Sequence, residues 1–100
     1  MAKKLQRVPV HPGEILRDQF MADFDVSIDR VARDLRVPPT RIMDIVRERR
    51  AVTPDTALRL GRYFGTTPEF WLNLQMAYDL DLARPKLAQI EADVRPIAAA

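Results

Sequence analysis

"IDRVARDLRVPPTRIMDIV", Ile28 to Val46, is the stretch from which the rest of the chain can be read. Ile28, Val31, Ala32 and Leu35 recur at the spacing of one helix face. Ser27 stands just before them, and its short hydroxyl suits the N-cap of a helix running to about Leu35, with Asp29 and Arg30 in the first turns. Arg36 and Val37 are followed by two prolines, which push the chain out of the helical region. From about Pro39 to Arg47 the helical period returns, with Ile42, Ile45 and Val46 inward. Ala32 is small where two crossing helices must approach closely, Val37 sits where it can plug the corner, and Ile42 and Ile45 anchor the second helix from below. A small residue, an apolar turn residue and two apolar anchors at these intervals are the spacing of a helix-turn-helix.

The second helix then has an outer face free to present Thr40, Arg41, Met43, Asp44 and Arg47, and it runs into Arg49 and Arg50. A helix built only to fill a core does not need three arginines in four residues at its end. Arg41 can donate two parallel hydrogen bonds to guanine O6 and N7. Thr40 can touch a thymine methyl or a phosphate, and Asp44 can accept from a cytosine amino group or orient Arg41 or Arg47. Thr40, Arg41, Met43, Asp44 and Arg47 are therefore the candidates for base contacts. Ser27, Arg30, Arg49 and Arg50 are the candidates for phosphate contacts, which supply most of the non-specific affinity for DNA. The plainer alternative is a helical hairpin with a solvated basic face.

Working outward, nothing reads as a strand, and the 3.6-residue period recurs between Pro, Thr and Ser. A first helix opens at Pro12, with Glu14 in its first turn and Ile15, Leu16, Phe20 and Met21 as its apolar side, and "DFDV" breaks it. Thr53-Pro54 opens a fourth helix whose core candidates are Ala57, Leu58, Leu60, Tyr63 and Phe64, stopped by Gly65. Thr67-Pro68-Glu69 opens the longest, "PEFWLNLQMAYDLDLA", which Pro85 ends or kinks. The expected fold is all-α, a five-helix helix-turn-helix domain, with a short C-terminal tail helix near Lys86 to Val94. Residues 1–9 read as a basic flexible arm carrying Lys3, Lys4 and Arg7, 10–84 as the domain, and 85–100 as a tail.

The chain has 100 residues, 47% of them hydrophobic, which suits one small core, and a net charge of +2 concentrated as arginine in the middle. It has no cysteine, so disulfides, thiolate catalysis and cysteine metal sites are excluded. No apolar run reaches the length of a membrane span, and the N-terminus lacks the apolar core of a secretory signal, so a cytoplasmic protein is expected. His11 and Glu14 read as helix capping and packing rather than metal ligation. No nucleophile with a base, phosphate loop or carboxylate pair is present, so neither enzymatic activity nor a cofactor or metal is expected. On the fifth helix Phe70, Trp71, Leu74 and Tyr78 form a stripe, and apolar residues surround the helix beyond what a small core absorbs. They are the candidates for a homodimer interface, and a symmetric dimer implies a palindromic double-stranded site.

Three blocks, "HPGEIL" (His11 to Leu16), "AVTPDTALRLGRYFGTTPEFWLNLQ" (Ala51 to Gln75) and "AYDL" (Ala77 to Leu80), occur in this order. Over about Val10 to Ala83 the chain resembles the HigA-type antitoxins, members of the Xre/lambda-repressor-like helix-turn-helix superfamily. The resemblance implies a homodimer that represses its own operon and neutralises a partner toxin, typically a RelE-like mRNA endonuclease. Stand-alone Xre-type regulators without a toxin share the fold, and a pure protein-interaction module is a third reading that the arginines from Arg41 to Arg50 disfavour. The chain departs from the family in having Ile28 where Gln is frequent, Arg36 where glycine is usual, and Arg47-Glu48 where Asn-Gly is frequent. Arg36 either accepts the left-handed conformation at a cost of about 1 kcal/mol or the turn differs slightly. Because a RelE-like toxin is basic, acidic residues outside the central pair (Asp18, Asp23, Asp25, Asp79 and Asp81) are candidates for its side, beside the arm and the tail.

Overall fold

Pro12 sets the first helix, which we call α1 (residues 12–24), and the strength of its N-terminus comes from His11. The computed structural model describes residues 8–98, so Lys3, Lys4 and Arg7 of the expected arm lie outside the described residues. His11 Nδ1 accepts from the Gly13 N–H at 2.8 Å, and its ring meets Tyr78 edge-on at 4.8 Å between centroids. Burial holds the imidazole below its usual pKa, against the pull of Glu48, Asp79 and the Arg50 backbone, which favours the neutral ring whose lone pair caps the helix.

Within α1, Pro12–Ile15 is α-helical, Leu16–Met21 is π-helical, and Ala22–Phe24 is α-helical again. The apolar pairs explain the register. Leu16 and Met21 are both buried, and Ile15 and Phe20 both pack on the core. Each pair is five residues apart, which in an α-helix at about 100° per residue would put its members about 140° out of line. In a π-helix, with i→i+5 hydrogen bonds, they stack, and the Ala22 N–H duly bonds to Arg17 O. The helix also outlasts the expected break at "DFDV", continuing through Phe24 to Asp25, which takes the left-handed conformation at φ 53°.

Helix α2 (Ile28–Leu35) is capped by Ser27 Oγ, which accepts from the Arg30 N–H at 3.1 Å. It ends at Arg36 with φ 63°, so the left-handed turn usual for glycine is made here by arginine. Helix α3 (Pro39–Val46) follows, and the chain leaves it through Glu48 at φ 62°, the third place, after Asp25 and Arg36, where a side chain stands in a conformation that favours glycine. Helix α4 (Pro54–Phe64) is capped by Thr53 and closed by Gly65 at φ 78°. Helix α5 (Pro68–Ala83) is capped by Thr67. Pro85 interrupts the axis with a 3₁₀ turn, Arg84–Lys86, and the expected tail helix, α6, spans Leu87–Asp93. Among the described residues there is no strand, and no helix is long and apolar enough to cross a membrane.

The core gathers Leu16, Val31, Ala32, Leu35, Val37, Ile42, Ile45, Val46, Val52, Ala57, Leu60 and Trp71. Ala32 is fully buried at the crossing and Val37 plugs the corner at 9% exposure, as the spacing requires. Trp71 is fully buried, its indole N–H satisfied by Thr66 Oγ1 at 2.7 Å. Gln75 is a polar latch: its Oε1 accepts from the Val52 N–H at 2.8 Å, fastening the loop after α3 onto α5. Leu58, expected in the core, is 60% exposed, because α4 buries only the side carrying Ala57, Leu60 and Gly61.

Gly13 governs how α1 meets α3. A Cβ built there would lie 1.8 Å from Ile45 O and 2.7 Å from Ile45 C, both backbone atoms of α3. Alanine normally gains up to about 1 kcal/mol over glycine inside a helix, but this overlap is with backbone and cannot be relieved by a rotamer change. Gly13→Ala should therefore destabilise by about 1–3 kcal/mol or more, read as a lower thermal midpoint. A midpoint equal to or above wild type would show that α1 and α3 are not in this contact.

Candidate nucleic-acid interface

Helix α3 has eight residues, too few to be stable alone, and its outer face is held by neighbours. At its start, Arg41 Nη1 donates to Asp55 Oδ2 at 2.7 Å and reaches Thr56 Oγ1 at 3.4 Å. The same Asp55 oxygen accepts from Arg59 Nε at 3.0 Å, while Arg59 Nη1 donates to Leu35 O, the last residue of α2, at 2.9 Å. One turn of α4 thus touches the end of the first helix of the motif and the beginning of the second. At the other end of α3, Arg17 of α1 donates to Val46 O at 2.8 Å.

Thr40 is exposed and Met43 half-buried on the outer side. Asp44 does not orient Arg41 or Arg47, as one sequence reading had it. It pairs with Arg49 at 3.3 Å and Arg50 at 3.4 Å, so it organises the arginines that follow the helix. Arg47, at the C-cap of α3, is exposed, as are Arg49 and Arg50. Ser27 spends its oxygen on capping α2, with its hydroxyl hydrogen still able to donate, and Arg30 pairs with Asp34 at 3.4 Å. Asp34 also accepts from Tyr63 Oη at 2.6 Å, which lowers the Asp34 carboxyl and raises the Tyr63 phenol. Thr40, Arg41, Met43, Asp44 and Arg47 share the α3 region, with Arg49 and Arg50 just beyond its end; Ser27 and Arg30 are at the start of α2.

Much of the stripe expected for self-association is committed to the protomer's own core. Trp71 has no accessible surface to offer a second protomer, Leu74 packs on the core, and Tyr78 lies half-buried against His11. Phe70 is 37% exposed within an aromatic group, 5.8 Å from Phe20 and 5.1 Å from Trp71. The apolar surface that remains on α5 includes a shallow groove formed by Leu72, Gln75, Met76, Asp79, Leu80 and Ala83, with Met76 and Leu80 well exposed. Sequence reasoning had also passed over Asp55, Arg59 and Arg17. For Asp55 and Arg59 the signal was present as an acid four residues before an arginine at the start of a helix. For Arg17 there was none, since its partner is a backbone carbonyl remote in sequence.

No protein-family model matches the chain. It is 50% identical over 82 residues to the virulence-associated protein I of Dichelobacter nodosus, covering 82% of this chain and 76% of that protein. Its fold superposes with a TM-score of 0.85 on the Pseudomonas aeruginosa antitoxin HigA solved with the higBA promoter, at 47% identity, covering 91% of this chain and all of that one. The chain belongs to the HigA-type antitoxin family. A second solved structure, the antitoxin GraA in complex with its operator, matches at 42% identity and a TM-score of 0.86 over 98% of this chain and the whole of its own. At Arg36 and Glu48, where the family resemblance leads one to expect glycine, the backbone is left-handed, so here arginine and glutamate make turns that favour glycine.

The Asp55 carboxyl lies below its ordinary value, held there first by the hydrogen bond from Arg59 and then by that from Arg41. A depressed folded-state pKa means that the pairing contributes fully above the unfolded value, near 3.9, and is lost as pH falls through the folded one. Carboxyl-carbon titration by NMR should find Asp55 ionised throughout the neutral range, and rising toward the ordinary value in Arg59→Met and, to a smaller extent, in Arg41→Met. An Asp55 titration identical in all three proteins would remove this network.

Proposed function

We propose that this HigA-type antitoxin is a homodimeric autorepressor that binds a palindromic operator through α3 and neutralises a RelE-like endonuclease toxin. The observation that carries the DNA-binding half is the arrangement around α3: inward Ile42 and Ile45 fix the helix while Thr40, Arg41, Arg47, Arg49 and Arg50 lie at the surface or its edge. Its structural relatives, a HigA solved with a promoter and GraA solved with its operator, support the same use of the same fold. In the free protein Arg41, Arg49 and Arg50 are paired with Asp55 and Asp44, so binding exchanges carboxylates for phosphates or base edges and gains its net strength from released counterions.

Dimerisation through α5 is retained in this reading, with its residues moved to Leu72, Met76, Leu80 and Ala83, the apolar groove that the protomer leaves uncovered. Two protomers then face half-sites about 34 Å apart. A duplex selected by the protein from a random pool should be palindromic and bound with steep salt dependence. Arg41→Ala should cost about 1–3 kcal/mol and relax preference at one base position. Equal operator-to-scrambled ratios in Arg41→Ala and wild type would show the contact wrongly assigned, and a monomer alone in sedimentation at micromolar concentration would remove the dimer.

Toxin neutralisation rests on the family and on charge. A basic toxin is repelled by the arginines from Arg41 to Arg50 and attracted to acidic or apolar surface. Asp23 and Asp25 are exposed at the end of α1, away from the α3 surface in sequence and element, while Asp18, Asp79 and Asp81 are engaged by Arg17, Gln75 and Arg84 respectively. The double substitution Arg47→Ala/Arg49→Ala should abolish operator binding in mobility shifts and still protect cells co-expressing the toxin. Loss of protection in a variant with a normal melt would place the toxin on the DNA-reading face.

A further inference from the structure

We propose that Arg17, on the first helix and outside the helix-turn-helix motif, is a positioning residue for DNA recognition: it fixes the C-terminal end of α3, from which Arg47, Arg49 and Arg50 project. This rests on the reading of α3 as the recognition helix.

The argument begins with the backbone of that helix end. An α-helix leaves its last four carbonyls without intrahelical partners, and each must find one. Here Met43 O accepts from the Arg47 N–H at 3.0 Å, Asp44 O from the Arg49 N–H at 2.8 Å, and Ile45 O from the Glu48 N–H at 2.9 Å. Val46 O is taken by a side chain from another helix, Arg17 Nη1 at 2.8 Å. A guanidinium at a helix C-terminus also meets the negative end of the helix dipole. The same nitrogen lies 3.8 Å from the Glu48 carboxylate, the residue whose left-handed backbone turns the chain out of α3.

Arg17 is itself held. Its Nε and Nη2 donate to the two oxygens of Asp18, at 2.8 and 3.1 Å, a bidentate pairing that fixes the plane of the guanidinium. The pairing raises the Arg17 pKa and lowers that of Asp18, so both stay charged across the whole working range. With its Nε and Nη2 edge occupied by Asp18, the guanidinium points Nη1 at Val46 in one orientation.

Arg17 lies within the π-helical segment of α1. Leu16 with Met21, and Ile15 with Phe20, must enter the core five residues apart, while Gly13 and Arg17, four apart, must both meet the end of α3. A uniform α-helix stacks residues four apart but not five apart. With the π-helical segment running from Leu16 to Met21, the one helix carries both apolar pairs into the core while Gly13 lies against Ile45 O and Arg17 reaches Val46 O. The side chain of Arg17 is 44% exposed, so the core does not depend on it and its effect is carried by the geometry of α3.

Arg17→Met keeps the apolar stem and removes the donors; Asp18→Asn keeps the arginine and loosens its anchor. In the free proteins, amide exchange at Arg49 and Arg47 should quicken in Arg17→Met, and by less in Asp18→Asn, while amides in α5 stay as in wild type. On the palindromic duplex selected by wild type, Arg17→Met should lose about tenfold of its operator-to-scrambled ratio, the scale of one charge-assisted hydrogen bond, with an unchanged slope against salt. Arg17→Lys, which can still donate to Val46 O, should recover part of both. Unchanged exchange at Arg47 and Arg49 would overturn the proposal. So would a uniform loss across sequences with the salt slope reduced by about one, which marks a phosphate contact instead. If Arg17→Met does not fold, exchange and operator ratio in Asp18→Asn decide by the same outcomes. A wild-type protein that selects no duplex would end the operator reading, whereas the exchange data would still judge Arg17.

Discussion

An eight-residue helix cannot hold its own shape in water, and the rest of this protein depends on α3 being held at both ends from outside. At its start, Asp55 of α4 takes Arg41; at its end, Arg17 of α1 takes Val46 O and Gly13 lies against Ile45 O. Between these points Ile42, Ile45 and Val46 are buried. Hydrophobic burial supplies the energy, since it is insensitive to direction. Orientation comes from the polar contacts, because a hydrogen bond weakens steeply with angle.

The arginines fall into two groups according to what they touch. Arg17 and Arg59 donate to helix-end carbonyls, at Val46 and Leu35, and are steadied by Asp18 and Asp55. Arg49 and Arg50 reach only the Asp44 carboxylate among the ion pairs described, across 3.3 and 3.4 Å and at the surface. Exposed pairs of that kind contribute little to stability, so these side chains can change partners without endangering the fold. Arg41 stands between the groups, tied at 2.7 Å yet at the edge of the outer face.

Helix α5 serves two surfaces at once. Trp71 and Gln75 belong to the core, one by burial and one by fastening Val52, whereas Leu72, Met76, Leu80 and Ala83 line the groove on the other side. A helix apolar nearly all round is what such a division requires. Every described residue from Leu82 onward is exposed, including Leu87, Ile90 and Val94 of the tail, so apolar surface continues beyond α5.

By itself the sequence determined the order of the helices, their caps at Ser27, Thr53 and Thr67, the stop at Gly65, and the helix-turn-helix built on Ala32, Val37, Ile42 and Ile45. These are properties of neighbouring residues: caps and turns are local, and one-face periodicity survives in any amphipathic helix. It also contained the π-helical segment of α1 as two apolar pairs five residues apart, a spacing that α-periodicity misreads. The tertiary structure alone decided that Leu58 faces out and Trp71 in, that Asp44 serves Arg49 and Arg50, and that Arg17, Asp55 and Arg59 fix the motif. The reason is physical. Which side of an all-round apolar helix meets the core, and which carboxylate or carbonyl an arginine reaches, depend on where other helices stop. No periodicity encodes the position of a carbonyl 29 residues away along the chain.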